Sequence, residues 1–332
     1  MDFDLTAVHA AWQQQGAALG RDVARDAAAA GVVMGAARAG LLDPRAGLLA
    51  VAAAVEAMAR ESPAAAVIFA LHAGTALAVA LLRQSSVAQA GDGRFSSLFR
   101  GDTVAAVGLS SDDVPVDLGG RLSGRAPWVA PITDRGVAVV GPRGGGERVA
   151  YLVALDAPGV AIEGVGTAGL AGLVCGHVTF SGAAGEPIGA TVPIMTRIRI
   201  LMAAAGLGMG RRALCEALAT ARAARTAAGG EQTVQGLLAD AATELDAAAL
   251  MTWKAAGAAV PSLAEGSLAK LMATGAAQRA VERATQVVGA DSFRRGHVIE
   301  RLAQDIRALE LFAGRTEALR AAVAEGVLPR SE

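Results

Sequence analysis

The sequence has 332 residues, of which 53% are hydrophobic and only 3% aromatic, and its formal net charge is −1. This length and hydropathy exclude disorder, and a near-neutral charge without basic or acidic blocks excludes a dedicated nucleic-acid-binding or membrane-surface protein. Because much of the hydrophobic fraction is Ala, packing must come from close helix–helix contacts, and we expect a mostly helical protein.

The first hundred residues predict four or five helices. Apolar residues recur at helical spacing from Val8 and Trp12 onwards, and Asp43-Pro44 marks a break near a helix start. The acids at Asp2 and Asp4 stand where a secretory signal carries basic residues. We therefore expect a cytoplasmic protein.

The stretch from Pro63 to Leu82 has no charged residue over about the length that crosses a bilayer. It is rich in Ala, which contributes little to membrane insertion, and it carries His72 and Gly74 in its middle. A buried bundle helix is the favoured interpretation, and a membrane span is the alternative. For His72 we favour a hydrogen bond across the helix bundle over contact with a substrate or cofactor.

Around Gly101 the pattern changes to short β-branched runs separated by Gly, Pro and Asp, which is typical of an all-β unit. The predicted strands are Val104–Leu109, Trp128–Ile132, Gly136–Val140, Arg148–Leu155, Val160–Glu163 and His177–Phe180. We therefore predict an N-terminal helical domain at 1–100, a β domain at 101–190 and a C-terminal helical bundle domain at 191–332.

Helical periodicity resumes at Ile194 and predicts long antiparallel bundle helices. Within it, the glycines of Gly206-Leu207-Gly208-Met209-Gly210 are spaced like those of a dinucleotide-binding loop, but they follow a helical pattern where that loop follows a strand. Small residues allow helices to approach closely. We interpret these glycines as helix-packing positions.

The two cysteines, Cys175 and Cys215, lie in apolar surroundings without a CxxC motif or a Cys/His cluster. We expect two buried free thiols, with neither a disulfide nor a metal site. A reducing compartment fits this expectation.

Four segments near the C-terminus carry the most specific pattern in the chain. They read AKLMA at residues 269–273, ATQVVGAD at 284–291, ERLAQDIR at 300–307 and LFAGRTE at 311–317. In this order and spacing they resemble the C-terminal helical domain of the acyl-CoA dehydrogenase family. The resemblance spans the whole chain, most weakly in the β domain. It implies a mainly α protein with a central β domain, arranged as an α-bundle, a β-barrel and a four-helix bundle.

The resemblance implies FAD as cofactor and acyl-CoA as substrate, in a homo- or hetero-oligomer with another chain of acyl-CoA dehydrogenase type. Arg225 is expected to pair with the FAD pyrophosphate, and Gln286 and Gly289 to approach the dinucleotide of a neighbouring subunit. Trp128 is expected to lie against the isoalloxazine ring, with Arg315 beside it in place of the usual Thr. Neither a nucleic acid nor a membrane is an expected partner.

The same resemblance exposes a missing catalytic group. Dehydrogenation of an acyl-CoA requires a carboxylate that removes the α-proton, and the family's usual Glu position is Ala313 here. The alternative position used by some relatives aligns with Ile198. Glu310, one helical turn before Ala313, is the remaining weak candidate for a base. Further departures are Ala228 and Ala290, where the family has Phe and Gly.

Three hypotheses follow. The favoured one is an atypical subunit without its own base, similar to the non-catalytic subunit of heterotetrameric sterol side-chain acyl-CoA dehydrogenases, acting in fatty acid or sterol side-chain metabolism. The second is a stand-alone flavoenzyme with Glu310 as base or with a reaction that needs no proton abstraction. The third is a flavin-free structural or acyl-thioester-binding protein.

Overall fold

The computed structural model describes residues 6–23, 28–82, 94–109, 120–141, 149–223 and 232–328. The chain is mainly helical with a small β domain, as predicted. Its first part consists of helices α1 to α5, which are Ala7–Val23, Ala29–Arg38, Leu48–Glu61, Pro63–Leu82 and Arg94–Arg100. Helices α3 and α4 are buried along most of their length, because nearly every side chain in them is small or aliphatic.

Helix α4 and the later helix α6 are each long and apolar enough to cross a membrane. In both, however, 78% of the most apolar window is buried inside the protein. Burial on all sides is what the core helix of a bundle requires, so the structure supports the bundle interpretation of Pro63–Leu82.

His72 joins α4 to the β domain. Its Nε2 donates to the carbonyl oxygen of Leu98 (2.9 Å), and its Nδ1 accepts from the backbone N–H of Ala105 (3.1 Å). The side chain is fully buried, and burial lowers its pKa to about 4, so it stays neutral. The predicted hydrogen-bonding role of His72 is confirmed.

Seven strands lie in the described part of the β domain, β1 to β7, which are Ala105–Gly108, Arg121–Val129, Val137–Val140, Val149–Ala154, Val160–Val165, Cys175–Ala184 and Glu186–Ala190. They form a four-stranded sheet in the order β1-β3-β4-β7 and a three-stranded sheet in the order β2-β6-β5. Of the strand pairs described, β1 with β3 is parallel and the others are antiparallel. A small hydrophobic core, which includes Leu122, Val153 and Phe180, lies between the sheets.

Strands β2 and β7 differ most from the prediction, and β6 is longer than the predicted His177–Phe180, running from Cys175 to Ala184. Strand β2 begins at Arg121, seven residues before the predicted start at Trp128, and it ends at Val129. Gly124 and Pro127 are residues that argue against a strand in the sequence. In the structure, a register shift between Ala126 and Val129 accommodates the proline, which has no N–H to donate to the ladder. The unpredicted β7 likewise contains a proline and a glycine.

The C-terminal helices are α6 Thr191–Ala223, α7 Gln232–Gly257, α8 Leu263–Val288, α9 Val298–Leu311 and α10 Thr316–Val327, with a short 3₁₀ helix at Gly289–Phe293. A capping box formed by Ser262 and Glu265 begins α8. A Cβ added to Gly208 would collide with the backbone oxygen of Glu56 in α3, and one added to Gly210 would lie 2.9 Å from Ala277 Cα in α8. The glycines of α6 are therefore packing positions, as predicted.

Asp305 anchors the β domain to α9. Its Oδ1 accepts a hydrogen bond from the backbone N–H of Leu170 (2.5 Å), a residue with φ of 57°. Burial raises the pKa of Asp305. The neighbouring Gly169 lies directly against the backbone of Gln304, where a Cβ would not fit.

The two cysteines differ in their surroundings. Cys175 is buried in β6, and burial raises its pKa to about 11. Cys215 is exposed, so the expectation of a second buried thiol is wrong. It lies beyond the part of α6 that is packed on all sides, between the partly exposed Leu214 and Glu216.

Candidate functional site

The turn that follows α9 is the centre of the candidate site. Helix α9 ends at Leu311, and Ala313 then adopts a φ of 56°, which is rare for a residue other than glycine. Gly314 continues with a φ of 110°. For an alanine the left-handed region costs about 1–2 kcal/mol. The surrounding contacts must therefore hold this turn in place.

Lys270 of α8 lies beneath the turn. Its Nζ donates to the carbonyl oxygens of Glu310 (3.0 Å) and Gly314 (2.7 Å), which satisfies acceptors at the end of α9. The side chain is fully buried. Burial, together with the nearby Arg199 cation, lowers the pKa of Lys270 to about 7.

Arg199 of α6 holds the same turn from another side. Its Nε donates to the carbonyl oxygen of Ala313 (3.0 Å), and its Nη1 donates to Ser267 Oγ (2.6 Å). A Cβ at position 314 would lie 3.1 Å from the guanidinium, so glycine fits both the conformation and the space. In the described ranges, neither Arg199 nor Lys270 has an ion-pair partner.

Sequence reasoning used Lys270 as a family marker and missed its contacts, and it did not single out Arg199 as a support of the turn. A usable signal for Lys270 was present: the sequence has only two lysines, and this one lies in an Ala-rich, uncharged stretch. Two buried cations thus support a turn that carries no carboxylate at position 313.

Glu310 lies on the last turn of α9, and its carboxylate is already engaged. Its Oε1 accepts from the hydroxyl of Thr316 (3.0 Å), and its Oε2 pairs with Arg307 (3.3 Å). With Lys270 and Thr316 it lines a cavity of about 290 Å³ between α8 and α10. The carboxylate is therefore directed toward the start of α10.

The other residues around the turn are Arg315 and Ile198. Arg315 is 76% exposed in its side chain and lies 3.7 Å from the carboxylate of Glu317, so its cation is accessible to a ligand. Ile198 is fully buried against Gly74, where an added Cβ would lie 3.0 Å from Ile198 Cγ1. Position 198 is thus part of the contact between α4 and α6.

Trp128 presents an exposed aromatic surface at the end of β2. It is 51% exposed and has a φ of 56°. Its backbone N–H donates to His177 Nδ1 (3.3 Å), and the two rings meet edge to face with centroids 5.6 Å apart. His177 was predicted only as the first residue of a strand.

Gln286 and Gly289 lie at the opposite end of α8 from Lys270. Gln286 is exposed, and Gly289 is the C-cap residue of α8 with a φ of 71°. A Cβ at Gly289 would meet nothing within 4 Å. At 1.5 Å per residue, Gln286 is about 24 Å from Lys270 along the helix. Arg225 lies outside the described residues.

A second cavity, of about 590 Å³, lies where the starts of α3 and α6 meet the ends of α4 and α7. Its walls are mostly apolar, and its one charged residue is Arg197. That guanidinium donates to the carbonyl oxygen of Pro193 (3.1 Å), and burial lowers its pKa. Within the described part of the chain, no group of three His, Cys, Asp or Glu residues is placed to hold a metal ion.

Comparison with known proteins gives a family match for the C-terminal part of the chain and several relatives. Residues 190–328 match the family model for the acyl-CoA dehydrogenase C-terminal domain. The benzylmalonyl-CoA dehydrogenase of Aromatoleum aromaticum is 27% identical over 268 residues, covering 70% of each chain. The 3-sulfinopropanoyl-CoA desulfinase of Paraburkholderia xenovorans is 37% identical over 99 residues, covering 29% of this chain and 26% of the relative. Two further curated acyl-CoA dehydrogenases match over 36% and 33% of their own length.

Solved structures extend the likeness to the whole chain. The butyryl-CoA dehydrogenase of Megasphaera elsdenii superposes with a TM-score of 0.84 at 16% identity, covering 99% of this chain and 100% of the other. The FAD complex of PigA superposes with a TM-score of 0.83 at 18% identity, covering 98% and 99%. At these identities the likeness establishes a shared fold.

Proposed function

Because the chain belongs to the acyl-CoA dehydrogenase family, we propose that it is a FAD-binding subunit for acyl-CoA dehydrogenation whose catalytic carboxylate comes from a partner chain. One observation carries this proposal. The backbone of the turn at Ala313 is held by hydrogen bonds from Lys270 and Arg199, yet the residue in the turn where the family has its base is an alanine. The scaffold is retained and the base is missing.

The residues present fit a flavin dinucleotide. Trp128 offers an exposed aromatic face, Arg315 an accessible cation beside the turn, and Gly289 a left-handed position with open space in front of it. An aromatic face with a cation beside it suits the isoalloxazine ring, whereas an open glycine suits the close approach of the dinucleotide. Bound FAD would supply the acceptor for the hydride that leaves the acyl chain.

The chain's own residues would position and shield the reacting groups. Lys270 and Arg199 fix the backbone of the turn, and their positive charges lie behind the position where a base has to act. A carboxylate brought to this place would be held in its ionised form by the nearby cations. With alanine at 313, this chain has no group there that can take up the α-proton.

The larger cavity suits an acyl-CoA. Apolar walls fit an acyl chain or the pantetheine arm, and Arg197 offers a charge for an anionic group of the coenzyme. If acyl-CoA binds here, Arg197→Gln will weaken its binding about tenfold, measured by calorimetry, whereas Arg38→Gln on the exposed end of α2 will not. Equal affinities for the two variants would exclude this cavity as the binding site.

The proposal is tested by purifying the chain alone and together with a second chain of acyl-CoA dehydrogenase type. We expect a yellow protein in both cases, with enoyl-CoA formed from a panel of saturated acyl-CoA thioesters only when the partner is present. Substantial turnover by the lone chain would overturn the partner-supplied base. A colourless protein that does not take up added FAD would instead favour the flavin-free thioester-binding alternative.

A second candidate is a stand-alone reaction that needs no external base. It is favoured by the relative named a desulfinase, whose name describes loss of a sulfinate group in place of dehydrogenation. Glu310 would be the base if the lone chain abstracts a proton, although Thr316 and Arg307 already occupy its carboxylate. Loss of lone-chain turnover in Glu310→Gln would support that role, and an unchanged rate would remove it.

A further inference from the structure

The backbone of Trp128 depends on a side chain of the neighbouring strand. In the pairing of β2 with β6, Ala126 lies opposite Val178 and Val129 lies opposite Gly176, so Pro127 and Trp128 together face the single residue His177. This is a β-bulge, in which the extra residue is left without a regular ladder bond. Proline has no N–H, so the bulge carries one backbone donor, the N–H of Trp128.

His177 satisfies that donor with its ring. The imidazole Nδ1 accepts from the Trp128 N–H at 3.3 Å, which requires the proton of the neutral ring to be on Nε2. The same ring meets the indole edge to face, with an interplanar angle of 79°. One side chain therefore contacts both the backbone and the ring of Trp128.

The position of Trp128 is otherwise unfavourable. A bulky residue with a φ of 56° is a rare conformation that persists only when its surroundings impose it, and burial contributes little because half of the residue's surface is exposed. Conformations of this kind are frequent where a protein holds a ligand. The contacts with His177 are the described interactions that maintain the exposed placement of this ring.

The charged neighbours of His177 do not compete for its ring. Glu163 of β5 lies directly opposite His177 in the antiparallel pair, but its carboxylate pairs with Arg125 of β2 at 2.7 Å. The imidazole is therefore free to serve as the acceptor for Trp128.

We propose that His177 is a positioning residue that holds the indole of Trp128 in place as a platform for the isoalloxazine ring of FAD. This inference rests on the proposed function, because it takes FAD as the ligand of Trp128. It adds a role for a residue that makes no contact with the cofactor in this account and acts through Trp128.

Three substitutions separate this role from general strand stability. In His177→Asn the side-chain oxygen takes the place of Nδ1 and still accepts from the Trp128 N–H. In His177→Gln the amide reaches toward the place of Nε2 and leaves the Nδ1 position without an acceptor, and His177→Leu removes all acceptors. We expect His177→Asn to bind FAD within about twofold of the unmodified chain, and the other two variants to bind about tenfold more weakly.

A second readout uses the apoprotein. Trp12 and Trp253 are the other tryptophans of the chain, so the background Trp12→Phe/Trp253→Phe makes Trp128 the sole source of indole fluorescence. We expect His177→Gln and His177→Leu to change its emission and its quenching by acrylamide, and His177→Asn to leave both close to the background protein. Circular dichroism identifies any variant that has failed to fold.

The outcomes distinguish this inference from the proposed function. If the unmodified chain binds FAD and all three variants bind it equally well, the positioning role of His177 is overturned and the proposed function stands. If the unmodified chain does not bind FAD, the proposed function fails and the cofactor role of His177 fails with it. Unchanged indole fluorescence in His177→Leu would overturn the positioning of Trp128 in the apoprotein itself.

Discussion

At the scale of single residues, the decisive feature is that two buried cations support a turn without a carboxylate. The ammonium of Lys270 donates to two backbone carbonyls, but burial and the charge of Arg199 disfavour its protonated form. A buried base with a lowered pKa makes stability depend on pH. The direction of that dependence is set by how many protons Lys270 binds in the unfolded and in the folded chain.

Between a folded pKa of about 7 and the ordinary value of 10.5, the unfolded chain holds a proton on Lys270 that the folded chain has lost. The free energy of unfolding therefore rises with pH in this window, and below it the full cost of burying the charge is present. Relative to Lys270→Met, the unmodified chain should gain up to about 1.4 kcal/mol per pH unit above pH 7. Urea unfolding at several pH values measures this difference.

The control is Lys254→Met, which removes the other lysine of the chain, an exposed residue near the end of α7. Its difference from the unmodified chain should stay constant across the same pH range. A constant difference for Lys270→Met as well would mean that Lys270 keeps an ordinary pKa in the folded protein.

At the scale of elements, α6 organises the molecule because its glycines let helices α3 and α8 approach it closely. A methyl group on Gly208 would meet the backbone oxygen of Glu56 and lie 2.6 Å from Ala59 Cβ, so α3 would have to move. We expect Gly208→Ala to destabilise the fold by about 1–3 kcal/mol, as other overpacking substitutions do. Chemical denaturation followed by circular dichroism measures the change.

Gly236 provides the matched comparison. It also lies within a helix, α7, but a Cβ there would meet nothing within 4 Å. Gly236→Ala should therefore stabilise the chain by about 0.5–1 kcal/mol, because alanine is the better helix former. If both alanine variants stabilised the protein, close packing at Gly208 would be disproved.

The elements also show what the sequence could reveal. Ala-rich periodicity and short β-branched runs predicted the mainly helical fold, because both patterns report local geometry. The start of β2 was not predicted because Pro127 argues against a strand. The bulge that accommodates Pro127 forms through the pairing of β2 with β6, which the local sequence does not reveal. The contacts of Lys270, Arg199 and His177 were not predicted because their partners lie far away in the sequence.

At the scale of the whole molecule, the two parts of the proposed flavin site lie toward opposite ends of α8. Arg315 follows the turn held by Lys270, whereas Gln286 lies about 24 Å from Lys270 along α8, with Gly289 just beyond it at the helix end. We propose that FAD is held by both parts through the association of two chains. We therefore expect FAD content, read from visible absorbance, to rise and fall with the oligomeric fraction measured by light scattering during dilution.

A monomer that retains stoichiometric FAD would contradict this expectation. Gln286→Ala, at an exposed position of α8, should lower the affinity for FAD without changing the oligomeric state. An effect on assembly alone would instead assign Gln286 to a contact between chains.

The central claim is that this chain keeps the fold of an acyl-CoA dehydrogenase and has Ala313 in place of the catalytic carboxylate. Ala313→Glu places a carboxylate on the turn, and Ala313→Gln adds the same bulk without the charge. We expect acyl-CoA to bleach the flavin absorbance of the isolated Ala313→Glu protein at least about a hundredfold faster than that of the other two, in line with the usual contribution of a general base. Equal bleaching rates in all three proteins would contradict the account.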